Sequence, residues 1–320
     1  MPAPIQTAST KADLRLPEPW ATRARKDVPL SRHTTFRIGG PAAQLIEIAA
    51  PAELGRLAAD LAAANVPWRL LGGGSNVLVA DEGYDGLVVV FQSPASSIRV
   101  EGERIIASGG APFHDLAVVG AAAALTGMEF AAGIPGTVGG AIFGNAGAFG
   151  EQVGDVLESL ELLDRQGHAR TVGPEALGFA YRHSALKETG EIVLSATLRL
   201  KRGSREAAEQ RLAEILALRA AKHPDWRREP CAGSFFRNLA PTSAASKRQA
   251  AGAFLDQAGA KTMRVGGAYV YAKHANIILN DGAATARDVL ALAERMRAAV
   301  RERFGIDLQR EVIVWPDDLT

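Results

Sequence analysis

The chain has 320 residues, of which 47% are hydrophobic and 22% charged, and a formal net charge of +1. That length suggests about two domains with cores of ordinary size, and the near-neutral charge argues against nucleic-acid binding, which shows as a basic excess. A single cysteine, Cys231, excludes an intramolecular disulfide and a cysteine-built zinc cluster, and it fits the cytoplasm.

Met1 to Leu16 is polar, lacks the apolar stretch of a signal peptide, and reads as a loose tail. Ser31 to Ala42, with its threonines and glycines, opens the ordered part. Gln44 to Ala49 alternates as a strand does. In Ala52 to Ala64, Leu54, Leu57 and Leu61 share one helical face, and Pro67 ends the helix. Trp68 to Leu71 then completes a β–α–β unit. Leu87 to Phe91 is a nearly all-apolar strand, and Ile98 to Ala107 a hairpin turning at Gly102. The most apolar run, Leu116 to Leu125, is about half the ~20 residues a membrane span needs. It is expected in a buried helix from about Pro112 to Leu125. Leu157 to Leu163 and Ala169 to Val172 pair around Gln166-Gly167, and Ile192 to Leu200 is a further strand. Lys201 to Ser204 looks like a boundary. A long helix follows, Glu206 to Ala221, stopped by His223-Pro224. Thr285 and Asp288 open another helix as a weaker capping box; Val289, Leu292, Met296 and Val300 face its core, and Gly305 ends it. The last strand is Glu311 to Trp315.

Two glycine-rich stretches stand out. Gly133-Ile134-Pro135-Gly136-Thr137-Val138-Gly139-Gly140, continuing to Ala148 through Asn145, is too rich in glycine for a good helix or strand, since each glycine costs about 1 kcal/mol against alanine. It reads as a buried loop whose N–H groups face an oxygen-rich ligand such as a phosphate, or as a tight crossover between packed elements. Gly72-Gly73-Gly74-Ser75-Asn76 sits between two strands and offers converging N–H groups and two polar side chains. It is neither a Walker loop nor the dinucleotide fingerprint, because no Gly-Lys-Ser/Thr follows and a strand replaces the helix.

Among reactive residues, Ser234 lies between Gly233 and two phenylalanines, and no nucleophile elbow surrounds it. It is a proton donor or acceptor, or simply a turn-capping serine. Arg182, in Tyr181-Arg182-His183-Ser184, carries a planar fork suited to a carboxylate, or is a surface arginine. Glu311 opens an apolar strand, either as its solvated end or as a buried acid. Lys222, Lys261, Arg264 and Lys273 are solvated charges, or together a face that holds a diphosphate.

In order along the chain, the segments His33 to Gly40, Leu71 to Val79, Gly133 to Gly147, Tyr181 to Ser184, Ala232 to Asn238, Ala251 to Gly259, His274-Ala275-Asn276 and Gln309 to Val312 strongly resemble the UDP-N-acetylenolpyruvoylglucosamine reductase family. The likeness spans about Ser31 to Trp315. It implies an α+β fold, with an FAD-binding region of the vanillyl-alcohol-oxidase (PCMH) type in two subdomains and a C-terminal α/β domain for the substrate. The expected division is a flexible tail 1–20, FAD-binding subdomains 21–85 and 86–203, a substrate-binding domain 204–305, and a C-terminal strand segment 306–320. The implied cofactor is FAD, with NADPH as co-substrate. NADPH would reduce the flavin, and the flavin would pass a hydride to the enolpyruvyl double bond, giving UDP-N-acetylmuramate for peptidoglycan. By the resemblance, Arg182, Ser234 and Glu311 are catalytic, with Ser234 giving the proton. Gly72, Gly73, Gly74, Ser75, Asn76, Gly133, Ile134, Pro135, Gly136, Gly139, Gly140 and Asn145 lie near FAD. Lys222, Asn238 and Gln257 contact the substrate. No metal, membrane or nucleic acid is implied, and a cytoplasmic monomer is expected. No tyrosine occurs between Arg182 and Ser234, which places the chain with the shorter-loop members that lack a closing tyrosine. Leu239 and Tyr271 depart from the family's usual proline and small polar residue. A sugar or alcohol oxidase of the same fold and a non-catalytic flavin-binding module are the alternatives, and Ser234 and Glu311 speak against both.

Overall fold

The computed structural model describes residues 14–242 and 248–316. Three α+β units follow one another, and a cavity lies where they meet. The first sheet has strands Arg25–Pro29, Pro41–Ile48, Tyr84–Phe91 and Trp68–Leu71, in that spatial order. The outer pair Arg25–Pro29 and Pro41–Ile48 is antiparallel and the other pairings are parallel. Leu87 to Phe91 is buried throughout, as a strand covered on both faces should be. Helix Pro51–Ala63 covers one face with Leu54, Leu57 and Leu61. The expected tail is shorter than 1–20. Residues 1–13 lie outside the described chain, but Leu16 and Trp20 are buried in this core, and the Trp20 indole donates to Asp60 at 2.7 Å. Two large apolar side chains bind the segment down.

The strand Tyr84–Phe91 belongs to this first sheet, so the expected division at 85/86 runs through a strand. The second unit is a five-stranded antiparallel sheet of Ala169–Val172, Leu157–Leu163, Ile192–Arg199, Arg104–Ser108 and Ile98–Glu101. Helix Phe113–Ala122 packs against it, ending three residues before the expected Leu125. Helix Arg205–Lys222, expected to begin the substrate domain, packs on this unit instead: Ile215 joins its core beside Leu116 and Phe130. Among the described residues, no helix is long and apolar enough to cross a membrane.

The glycine stretch 133–148 is not loop throughout. Val138–Phe143 is a short helix capped by Thr137, whose hydroxyl accepts from the Gly140 N–H at 3.3 Å. Burial of Val138 and Ile142, about 1.5–3 kcal/mol each, outweighs the cost of Gly139 and Gly140 at about 1 kcal/mol each.

The third unit has an antiparallel sheet of Cys231–Ser234, Ile277–Asn280, Ala268–Val270 and Arg264–Val265. Helices Ala251–Gln257 and Ala286–Phe304 pack on it. Thr285 and Asp288 form a full reciprocal capping box, and Gly305 closes the helix in the left-handed region at φ +68°. The chain then returns to the first unit, where Ile313–Trp315 pairs in parallel with Val77–Val79. This strand begins two residues later than expected. Before it, the Glu311 N–H donates to the Phe235 carbonyl at 2.8 Å, and the Asn76 amide donates to the Glu311 carbonyl at 3.2 Å.

Candidate active site

The two glycine stretches lie against each other. A Cβ on Gly73 would sit 2.6 Å from the Gly136 Cα, and one on Gly136 would sit 2.6 Å from the Ser75 hydroxyl. Part of the demand for glycine is therefore loop-on-loop packing. Their N–H groups also differ. Gly133 donates to His114 Nδ1, Ile134 to Ala131, Gly139 to Gly109 and Gly140 to Thr137. Among the described residues, no protein acceptor meets the N–H groups of Gly73, Gly74 or Ser75. Gly74 is left-handed at φ +58°. Successive free N–H groups around such a residue form an anion-binding nest. The first loop thus has the form of an anion nest, and in the second loop the N–H groups of Gly136 and Thr137 likewise meet no protein acceptor among the described residues.

Both loops line a cavity of about 1450 Å³. Gly72 to Asn76, Gly133 to Thr137, Gly139 and Gly140 line it, as do Arg182, Ser234 and Glu311. A glycine cradle and a space of this size fit an extended dinucleotide such as FAD. Asn145 is placed differently from the expectation. It does not line the cavity: its amide donates to Gln152 Oε1 and the Ala180 carbonyl, both at 3.0 Å, and accepts from the Gly154 N–H. Fully engaged, it braces the segment leading to Arg182.

Arg182 is held in the left-handed region at φ +56°, a conformation that costs a non-glycine residue of order 1–3 kcal/mol. Its Nε lies 2.5 Å from Glu311 Oε1, an ion pair whose N–H is not aligned for a good hydrogen bond. Its Nη1 donates to the Gly147 carbonyl at 3.4 Å. Burial pushes the Glu311 carboxyl up, against the pull of Arg182, Arg237 and Lys187. Lys187 and Arg237 also line the cavity. The Lys187 ammonium donates to the Arg182 carbonyl at 2.7 Å, and burial together with Arg237 holds its pKa down. Arg237 Nε and Arg219 Nε are buried without an acceptor among the described residues.

Ser234 ends its strand where the large cavity meets a smaller one of about 320 Å³. Asn238, Lys261, Lys273, His274 and Asn276 line the smaller one. Asn238 is there, with its side-chain oxygen accepting from the Ala251 N–H at 3.1 Å. Lys261 is paired with Asp256 at 2.7 Å, and Arg264 with Asp281. Lys222 and Gln257 are not brought in: both are exposed and line neither cavity. The neighbours of Lys222, Arg219 and His223, line the large cavity instead. His223 faces His274 at 5.2 Å between ring centroids. Burial, then His274, Arg219 and Lys222, lower the His223 pKa to about 4.

Arg237, Lys187, Arg219 and His223 were missed from the sequence. Arg237 alone had a signal, three residues past Ser234 in the segment singled out. Of the two departures, Leu239 uses the N–H a proline would lack, donating to Gln249 at 3.0 Å, and Tyr271 lines the large cavity. At the rim stands Phe149, 49% exposed, with the Arg219 and Arg211 guanidinium carbons 5.7 and 6.0 Å from its ring centre.

Fold and cavity together define an FAD-binding oxidoreductase, and a family model for an FAD-binding domain matches residues 42–173. The family model described as UDP-N-acetylenolpyruvoylglucosamine reductase, C-terminal domain, matches residues 224–315. The chain is similar to the UDP-N-acetylenolpyruvoylglucosamine reductase of Heliobacterium modesticaldum, 42% identical over 289 residues and 90% of each chain. It is 41% identical to that of Caldanaerobacter subterraneus over 285 residues, 89% of this chain and 91% of the other. The crystal structure of UDP-N-acetylenolpyruvylglucosamine reductase from Thermus caldophilus superposes with a TM-score of 0.76 at 35% identity, covering 92% of this chain and all of that one. The chain belongs to the UDP-N-acetylenolpyruvoylglucosamine reductase family.

Proposed function

We propose that the chain reduces the enolpyruvyl group of UDP-N-acetylenolpyruvoylglucosamine to UDP-N-acetylmuramate, with FAD as cofactor and NADPH as reductant, in peptidoglycan synthesis. The observation that supports this reading is that Arg182, Ser234 and Glu311 line the same glycine-walled cavity, with Arg182 paired to Glu311 and the Glu311 N–H bonded to the carbonyl of Phe235, next to Ser234. When bound, FAD supplies the hydride that reaches the enolpyruvyl β-carbon. Negative charge then grows on the substrate carboxylate. Arg182, already fixed by its backbone and by Glu311, meets that charge without reorganising. Lys187 and Arg237, which also line the cavity and act on Glu311, add positive potential there. The Ser234 hydroxyl gives its proton to the adjacent carbon and completes the reduction. Arg182 cannot fully satisfy Glu311 and a substrate carboxylate at once. Arrival of the second carboxylate drives the Glu311 pKa further up, and the neutral acid then donates to the developing charge. With no closing tyrosine, Phe149 offers the nucleotide an aromatic face, and Arg219 Nε a free donor, at the cavity rim.

The test is anaerobic. NADPH should bleach the flavin band, and the enolpyruvyl substrate should restore it with UDP-N-acetylmuramate formed. Ser234→Ala should slow the restoration by roughly 10²–10⁴-fold, the usual contribution of a positioned proton donor, with bleaching nearly unchanged. Bleaching without restoration by this substrate overturns the substrate assignment. Restoration at the normal rate in Ser234→Ala overturns the role of the serine.

A further inference from the structure

The segment His33 to Gly40 is not among the residues that line the cavity, yet it joins two elements that do. It is a loop of the first unit, closed at its base by the Leu30 N–H donating to the Gly40 carbonyl at 2.9 Å and the Ser31 N–H to Gly39 at 3.2 Å. Its tip enters the third unit. Phe36 is fully buried there with Phe235 and Phe236, and the Asn280 amide donates to the Phe36 carbonyl at 3.0 Å. Thr35 lies between the cofactor loop and the strand Cys231–Ser234. Its N–H donates to the Gly74 carbonyl at 3.1 Å. Its hydroxyl donates to the Cys231 carbonyl at 2.7 Å, and its carbonyl accepts from the Cys231 N–H at 3.2 Å. The hydroxyl is also 3.5 Å from the Gly74 carbonyl, but it has one proton, and the shorter contact takes it. Thr35 is buried, so water does not compete for these bonds. Gly74 also packs directly on this loop: a Cβ there would stand 2.1 Å from the His33 carbonyl oxygen and 2.8 Å from the Thr34 Cα, so the two backbones are in close contact.

We propose that Thr35 is a positioning residue that fixes the spacing between the cofactor loop at Gly74 and the strand that ends in Ser234. Two residues, Ala232 and Gly233, separate Cys231 from Ser234; the strand bulges between them, with Gly233 at φ +70°, but both ends stay paired to the strand Ile277–Asn280, so a shift at Cys231 is carried through this short bulge to the serine. A misplacement of about 1 Å costs a reaction roughly 10²-fold. Proton delivery by Ser234 depends on this spacing, whereas reduction of the flavin by NADPH does not use the serine. The proposal rests on the role given above to Ser234.

Thr35→Val keeps the shape and both backbone bonds and deletes the hydroxyl. In anaerobic stopped-flow, restoration of the flavin band by the enolpyruvyl substrate should slow by about 10- to 100-fold, while bleaching by NADPH changes by less than about 2-fold. Flavin affinity, read by fluorescence, should stay within about 3-fold, because the free N–H groups of the cofactor loop are untouched. Thr35→Ser should recover the rate. The double variant Thr35→Val/Ser234→Ala should be no slower than Ser234→Ala alone, since the first change acts only through the serine. Should Thr35→Val fail to fold, Thr35→Ala takes its place in the same comparison. Equal loss in both half-reactions and in flavin affinity, with no recovery by Thr35→Ser, would mean that the loop merely holds the fold together, and would overturn the proposal. So would an additive double variant. A slow Ser234→Ala beside an unimpaired Thr35→Val overturns the proposal alone, whereas an unimpaired Ser234→Ala overturns the serine's role and this proposal together.

Discussion

Glu311 stands between two demands. Burial favours the neutral acid, and Arg182, Arg237 and Lys187 favour the carboxylate; burial wins, and the pKa is raised. In the native state the group therefore holds its proton more tightly than in the unfolded chain, where a glutamate titrates near about 4.3. Its contribution to stability is present below that value and is lost as pH climbs through the raised one. The same titration should appear in the chemistry. Restoration of the flavin band should fall on the alkaline side as Glu311 ionises, and Glu311→Gln, a permanent neutral donor, should flatten that limb and keep a near-normal rate. Glu311→Ala should lose the donor and leave Arg182 unpaired. Loss as severe in Gln as in Ala would show that the carboxylate is the working form and would remove the neutral acid from the mechanism.

At the scale of elements, glycine has two uses that a single sequence cannot separate. Gly73 is needed by the protein itself, because its Cβ would strike the Gly136 backbone. Gly140 is different: it lies in the helix Val138–Phe143, lines the cavity, and its Cβ would have only the Thr137 hydroxyl at 3.4 Å as a close neighbour. Gly73→Ala should destabilise even the cofactor-free protein, by about 1–3 kcal/mol, as overpacking does. Gly140→Ala should leave the cofactor-free protein as stable or slightly more so, because alanine is the better helix former, while weakening FAD binding. Thermal unfolding of the cofactor-free protein and flavin titration separate these outcomes; loss of stability in Gly140→Ala would mean that its glycine too serves packing. The same distinction explains what the sequence could convey. Strands Trp68–Leu71, Leu157–Leu163 and Ala169–Val172 have the expected bounds because alternation and turn residues are local signals. The helix Val138–Phe143 was hidden because its stability comes from tertiary burial rather than propensity. Arg219 rather than Lys222 faces the cavity because one turn of a helix is buried and the next is not, and composition does not mark which. Ser234 and Glu311 stand out in the sequence by their apolar neighbours, whereas their lining of one cavity is a property of the fold.

At the scale of the molecule, the cavity exists only while three units hold together, and their contacts cross the sequence. Ile313–Trp315 closes the circuit on the first unit. A second latch lies beside it, since the Ala80 N–H donates to the Trp315 carbonyl at 2.7 Å and Asp81 follows directly. Asp81, from the first unit, accepts from the N–H groups of Ala286 at 2.7 Å and Arg287 at 3.3 Å, the first residues of helix Ala286–Phe304. A carboxylate at that position caps unpaired donors and meets the positive end of the helix dipole, together worth about 1–2 kcal/mol. Thr285 caps the same helix from within, so the helix should survive the loss of Asp81 while its docking weakens. Asp81→Ala is therefore expected to lower hydrogen-exchange protection across the third unit by about 1–2 kcal/mol, and to leave the five-stranded sheet of the second unit unchanged. That sheet draws its stability from its own core of Ile105, Leu160, Leu162 and Leu198, which the latch does not touch. An equal fall in both sheets would mean that the three units open as one cooperative block, with the energy of the latch shared by the whole chain.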